Sequence, residues 1–326
     1  MKRVHLLILG LSAAFLITSF TSCVSIPDPF DDGDSISTEK AVFSAITSSV
    51  QSIEKASETI SPEEEYYIGR SVAASIATTY PVDKGSPNMT SYLNRICETL
   101  VMNSEKPYLY KGYYVVILDT DEINAMATPG GHIFVSRGLI ECTDSEDALA
   151  AVLAHEIAHI QLGHSIQAIK ASRVRAAVSD TTRAVAVTSI ATVNTRSGQV
   201  LSDREMADLL EAVNTFSDAS NEVFKTLVNT GFSKDQEFDA DEKALYILQD
   251  AGYDPYAMLD MLSQIEESSS NTGWGATHPA PKDRIKKVEK ELKSMSKKNP
   301  SLKQARQIRT ERFESEYEDY RIFELD

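Results

Sequence analysis

Three of the chain's six histidines, His155, His159 and His164, fall within ten residues. The first two frame the run His155-Glu156-Ile157-Ala158-His159. On a helix, residues four apart lie about 40° from one another, so both imidazoles can reach one metal ion. Glu156, about 100° round from His155, can hold a water at that ion without ligating it. A bare pattern of this kind recurs by chance, and its setting is what raises it. Eleven of the fifteen residues from Ala148 to Leu162 are aliphatic. Such a helix is buried nearly all round, where ionisable groups are costly unless paired or bound to a metal. His164 is the obvious third ligand but a poor one, because a continuing helix would point it about 180° from His155. Gly163 reads as the helix end, and His164 as a capping or supporting residue.

A better third ligand is Glu237, 78 residues after His159, in Gln236-Glu237-Phe238-Asp239-Ala240-Asp241-Glu242-Lys243-Ala244. Glu237 and Asp241 share a helix face. One carboxylate can bind a metal while the other accepts the free N–H of a ligand imidazole. Taken alone, a solvated acidic face is the plainer reading in so acid-rich a chain.

These residues need elements to place them. Ser61-Pro62-Glu63-Glu64 is a helix start, with Ser61 as cap, inside a helical pattern from Thr38 to Ala77. Gly112 to Leu118 and His132 to Val135 read as strands, the second entered through Pro129-Gly130-Gly131. Long helical stretches follow from Ser145 and after about Ser202. Residues 165–230 read as two helices around Ser197-Gly198, carrying Lys170, Arg173, Arg175 and Arg183. A solvated face is the plainer account of them, a lid over a cleft the sharper one. The fold expected is α+β, mainly helical, with a small sheet beside the active-site helix.

The chain has 326 residues and a formal charge of −16. That balance argues against nucleic acid as a partner, since counterion release needs a basic face. Lys2 and Arg3 followed by the apolar Val4 to Ile17 read as a secretory leader, too short to span a bilayer comfortably. It ends in Phe20-Thr21-Ser22-Cys23, similar to a bacterial lipobox, which makes Cys23 the lipidation candidate and the membrane a partner through that anchor alone. Val24 and Ser25 after it favour the outer membrane over the inner. The polar, acidic stretch that follows reads as a tether. Cys97 and Cys142 could pair in an oxidising periplasm, and lack the spacing of a cysteine zinc site.

Four signatures together resemble metallopeptidase family forty-eight, the zinc peptidases that include HtpX, the CAAX prenyl proteases and the BepA type. They are Asn124-Ala125-Met126-Ala127-Thr128-Pro129-Gly130-Gly131-His132-Ile133-Phe134-Val135, the His155 to His159 motif, Glu237 to Asp241 with Gly252-Tyr253-Asp254-Pro255, and Thr277-His278-Pro279 with Arg284-Ile285. The resemblance implies a zincin-like peptidase with one Zn²⁺ per chain, held by His155, His159 and Glu237. It implies Glu156 as the catalytic carboxylate, with Asp241 supporting the site or donating a proton. It implies His278 and Arg284 as gating or oxyanion groups. It also implies that the strand motif of Asn124, Pro129, Gly130 and Gly131 lies at a sheet edge where substrate adds as a strand.

The organisation expected is therefore a leader at 1–22, a lipidated tether at 23–55 and a peptidase domain at 56–290 with the 165–230 insert. A charged tail at 291–326 would close the chain, too short for the helical-repeat array of longer members. The function expected is endoproteolysis of misfolded or unassembled envelope proteins, facing the periplasm. The alternative is a chaperone or assembly factor whose peptidase site is mostly closed.

Overall fold

A computed structural model describes residues 59–172, 217–268, 274–278, 281–295 and 301–323. The expected leader, Cys23, the tether and residues 173–216 of the insert, with Arg173, Arg175 and Arg183, lie outside them.

Helix α1 (Pro62–Thr79) starts where its local signals place it. Ser61 accepts from the Glu64 N–H while the Glu64 carboxylate accepts from the Ser61 N–H, with Pro62 in the first turn. Helix α2 (Pro87–Met102) follows and buries Met89, Tyr92, Leu93, Ile96, Cys97 and Leu100 along one stripe. Strands β1 (Tyr114–Leu118), β2 (Ala125–Ala127) and β3 (His132–Ser136) form one sheet in the order β1-β3-β2. β1 runs parallel to β3, and β2 antiparallel to it.

The sheet is buried on both faces. Val115, Ile117, Ala125, Ala127, Ile133 and Val135 turn to the main core, while Val116, Leu118, Met126 and Phe134 turn to α1 and residues 217–227. That two-sided burial is why β3 reads as an unbroken apolar run and not as an alternation. β3 is the middle strand, which corrects the expectation that the motif strand ending near Val135 forms the edge. The edges belong to β1 and β2, and β2 is the strand within the motif. β3 hydrogen bonds flank β2 at Thr128 and Asn124, so the alternation of an antiparallel ladder turns the backbone groups of Ala125 and Ala127 outward.

A short helix α3 (Arg137–Cys142) leads into α4 (Glu146–Leu162), capped by Ser145 and ended by Gly163 in the left-handed conformation. All but its last residue are buried. Around it pack α2, α5 (Lys234–Asp250), α6 (Ala257–Ser268) and, by way of α5 and α6, α8 (Pro281–Ser294). Residues 164–172 and 217–225 are helical, the latter running into a π-turn at Thr226–Thr230. A single turn, α7 (Trp274–Thr277), precedes α8.

The stretch expected as a charged tail forms α9 (Ser301–Phe323), which packs on α2 and α4 with Phe313 and Tyr320 buried. Residue 290 is thus no edge of the fold. The high charge of α9 concealed two aromatic anchors and, as described below, arginines that face buried acids. Cys97 and Cys142 are both free thiols, and burial pushes them up to about 12 and about 11. Among the described residues, no helix is long and apolar enough to cross a membrane.

Candidate metal centre

Helices α4 and α5 pack against each other and bring three groups to one point. The Nε2 atoms of His155 and His159 lie 3.1 Å apart. Glu237 places Oε2 at 3.5 Å from the first and Oε1 at 3.4 Å from the second. His278, just after α7, adds Nδ1 at 2.7 Å from Glu237 Oε2. Potential ligand atoms of His155, His159, Glu237 and His278 lie within 4.8 Å of one another, and all four residues are buried.

Behind these atoms stand groups that orient them. Asp241 Oδ1 lies 3.1 Å from His155 Nδ1, and His164 Nδ1 lies 2.8 Å from His159 Nδ1. Each ring is held by its Nδ1 side, which leaves Nε2 of both turned to the common point. Arg284 is wholly buried and grips Asp241 with two bonds, Nε to Oδ2 at 2.8 Å and Nη2 to Oδ1 at 2.6 Å. Its Nη1 lies 3.4 Å from Glu237 Oε2.

Charge decides whether this site fits a metal. Glu156, Glu237 and Asp241, each at most 2% exposed, carry three negative charges against the single charge of Arg284. A divalent cation makes up the difference of two. Without one the site draws protons instead. Burial and Arg284 push His155 down, yet Asp241 and Glu237 outweigh them and raise it to about 9. Burial raises Glu156 to about 7. His159 is driven down to about 3 by burial, so it stays a neutral ligand. Glu156 Oε1 and Glu237 Oε1 are buried with no hydrogen-bond partner among the described residues, and two nitrogens with a carboxylate are the donor set of catalytic zinc.

The sequence pattern of Peptidase family M48 matches residues 87–292, well over half of the chain. The chain belongs to that family. Residues 87–292 form an M48 zinc metallopeptidase domain, with the His155-Glu156-x-x-His159 helix and Glu237 inside it. The chain is similar to the beta-barrel assembly-enhancing protease of Yersinia pestis, 27% identical over 235 residues, 70% of this chain and 43% of that protein. Its counterpart in Escherichia coli K12 is 26% identical over 203 residues, 61% of this chain and 38% of that one. The mitochondrial metalloendopeptidase OMA1 of Schizosaccharomyces pombe is 29% identical over 211 residues, 62% and 53% respectively. The chain thus spans about half or less of the length of these M48 relatives.

Other expected M48 site residues fall elsewhere. Pro129, Gly130 and Gly131 form the buried corner between β2 and β3, against α1. Gly130 has φ 73°, and a Cβ there would sit 2.5 Å from Tyr66 Cα. Its lack of a side chain serves packing on α1. Asn124 sits just before β2, donating its N–H to Ser136 Oγ at 2.9 Å.

Two aromatic residues escaped the sequence reading. Phe232 stacks on His159 with ring centres 4.3 Å apart, and Trp274 stacks on His278 at 4.0 Å. Trp274 also donates its backbone N–H to Ile123 O just before β2. Its sequence signal was present, since it is the only tryptophan of the chain and lies four residues before His278. Phe232 carries no such mark. The residue before it, Gly231, has φ 68°, and a Cβ there would lie 1.9 Å from Thr277 O. The segment 226–232 and α7 therefore meet backbone to backbone beside the metal centre.

Proposed function

We propose that this protein is a zinc endopeptidase of the bacterial cell envelope, tethered through Cys23, that hydrolyses misfolded or unassembled envelope polypeptides from the periplasmic side, at the outer membrane rather than the inner. What carries the reading is the buried group of His155, His159 and Glu237 with Glu156 beside it, short of two positive charges. The names of the relatives support the envelope assignment, two being beta-barrel assembly-enhancing proteases.

His155 and His159 through Nε2, and Glu237 through its carboxylate, would hold one Zn²⁺. Bound there, zinc acts as a Lewis acid that acidifies water and polarises a scissile carbonyl. Glu156 accepts the proton of the attacking water and delivers it to the leaving amine, a role worth about 10²–10⁴ in rate. Asp241 has both oxygens engaged by Arg284 and one facing His155. It holds the ring's tautomer and is not free to give substrate a proton. Arg284, locked on Asp241 through Nε and Nη2, is the counter-charge of the acids, and its Nη1, which makes no hydrogen bond among the described residues, is the atom left to face an oxyanion. The outward backbone groups of Ala125 and Ala127 on β2 are the edge to which a peptide can add as a strand.

A second reading has an observation in its favour. His155, His159, Glu156, Glu237 and His278 are all at most 8% exposed, and Phe232 and His278 press on the ligands. A site so closed suits a chaperone or assembly factor that holds clients more than it cuts them. Digestion of denatured casein by wild type, Glu156→Gln and His278→Ala separates the two. The endopeptidase reading expects Glu156→Gln to keep its zinc and lose cleavage, and His278→Ala to cleave faster because a gate is removed. A Glu156→Gln protein that still performs the cellular task in full would sink that reading in favour of the second.

A further inference from the structure

Helix α4 is gripped at its N-terminal turn by residues outside the matched family region. Glu146 and Asp147, at most 1% exposed, lie at its start. Glu146 accepts from Tyr92 Oη at 2.8 Å, Tyr253 Oη at 3.0 Å and Arg312 Nε at 2.6 Å, with Arg312 Nη2 on its other oxygen. Asp147 accepts from Arg309 Nε at 2.9 Å, Arg309 Nη2 at 2.8 Å and the Asp254 N–H at 3.2 Å. Both arginines come from α9, at 301–323, whereas the family match ends at residue 292.

Arg309 also holds the end of α5. Arg309 donates Nη1 to Gly252 O at 3.3 Å and lies over the Tyr253 ring at 4.8 Å. Gly252 and Tyr253 follow α5 directly, the helix that carries Glu237 and Asp241. One clamp thus ties the start of one ligand-bearing helix to the end of the other. Glu146 and Asp147 are about 100° apart around α4, so fixing both sets the rotation of the helix as well as its axial position. His155 lies nine residues on, about 14 Å along the axis and about 180° round from Glu146. The grip on Glu146 is at the back of α4, with His155 at its front, and Asp147 is held on the flank between them. A rotation of about 10° would carry a side chain at the helix perimeter roughly 1 Å, enough to cost about 100-fold in a positioned reaction.

We infer that Arg309 and Arg312 are positioning residues for the metal centre: α9, beyond the peptidase module, sets where His155, Glu156 and His159 stand relative to Glu237. The inference rests on the metal-centre reading above, and the test separates the two. The full chain is loaded with Co²⁺ in place of zinc, and its visible spectrum, melting curve and kcat and KM on denatured casein are measured. Wild type that takes up no cobalt would overturn the metal-centre reading itself.

With cobalt bound, Arg309→Lys with Arg312→Lys keeps the charges but loses the two-pronged grip. This variant should melt cooperatively, show an altered cobalt spectrum and lose roughly 10- to 100-fold in kcat with KM unchanged. Lower stability with the wild-type spectrum and kcat would overturn the positioning role, leaving α9 a mere support of the fold. Glu316→Gln is the control on the same helix, since Glu316 pairs with Arg95 of α2 at the surface, away from the clamp. It should leave spectrum and kcat as in wild type. An equal change there would assign the effect to general docking of α9 and overturn the role of the two arginines.

Discussion

Glu156 shows how one side chain is tuned by where its helix lies. Burial lifts its carboxyl to about 7, with Glu237 adding to the rise and His155 and Arg284 opposing it. Only the carboxylate can accept a proton from water, so activity must fall as pH drops through the group's pKa. A divalent cation beside it favours the charged form and moves that pKa below about 7. We expect kcat/KM to level off above neutrality and to fall towards tenfold per unit on the acid side. A profile with no acid limb at any pH where the metal stays bound would remove Glu156 as proton acceptor. At this scale much was legible, because a His-Glu-x-x-His run on an apolar helix is a local anomaly. From its own residues Glu237 was legible as one of two acids sharing a face, and the family resemblance singled it out. The packing of α5 on α4, which no local pattern records, is what brings it to the two imidazoles. The support that His164 gives His159 depended on the chain continuing past Gly163 in a new direction.

Among the elements, the segment 226–232 has the clearest consequence. Gly231 combines φ 68° with an extended ψ, a region open essentially to glycine, and its Cβ position overlaps Thr277 O. Gly231→Ala should force this segment away from α7 and lift Phe232 off His159. The expected result is a protein less stable by about 1–3 kcal/mol that surrenders its metal to a chelator faster than wild type. An unchanged rate of metal loss would mean that this contact does not close the site. The elements themselves divide by how local their causes are. α1 was visible through Ser61, Pro62 and Glu64, which act within one turn. β3 was visible as a strand but not as the middle one, because strand order is decided by partners distant in sequence. α9 was hidden because charged residues dominate its surface, while Phe313, Tyr320 and the two arginines find their partners only in the folded core.

For the whole molecule, the metal centre is also a structural joint. It links α4, α5 and the stretch from α7 to α8 through His155, His159, Glu237, His278 and Arg284, and without a cation three buried carboxylates face one guanidinium. Ligand that binds only the folded state stabilises it by about 4 kcal/mol at a thousand times its dissociation constant. For a domain of this size that is worth roughly 10 °C in melting temperature. Removing zinc with a chelator should lower the melting temperature by that order, and adding zinc back should restore it. A melting curve indifferent to chelation would show that the fold does not depend on the ion.

The stack of Trp274 on His278 gives the protein an optical property of its own. The indole is the chain's sole tryptophan, fully buried, 17° from parallel with the imidazole. Tryptophan fluorescence of the unlabelled protein comes from this one spot, beside the candidate metal centre. The molecule carries its own reporter of whatever moves the indole off His278.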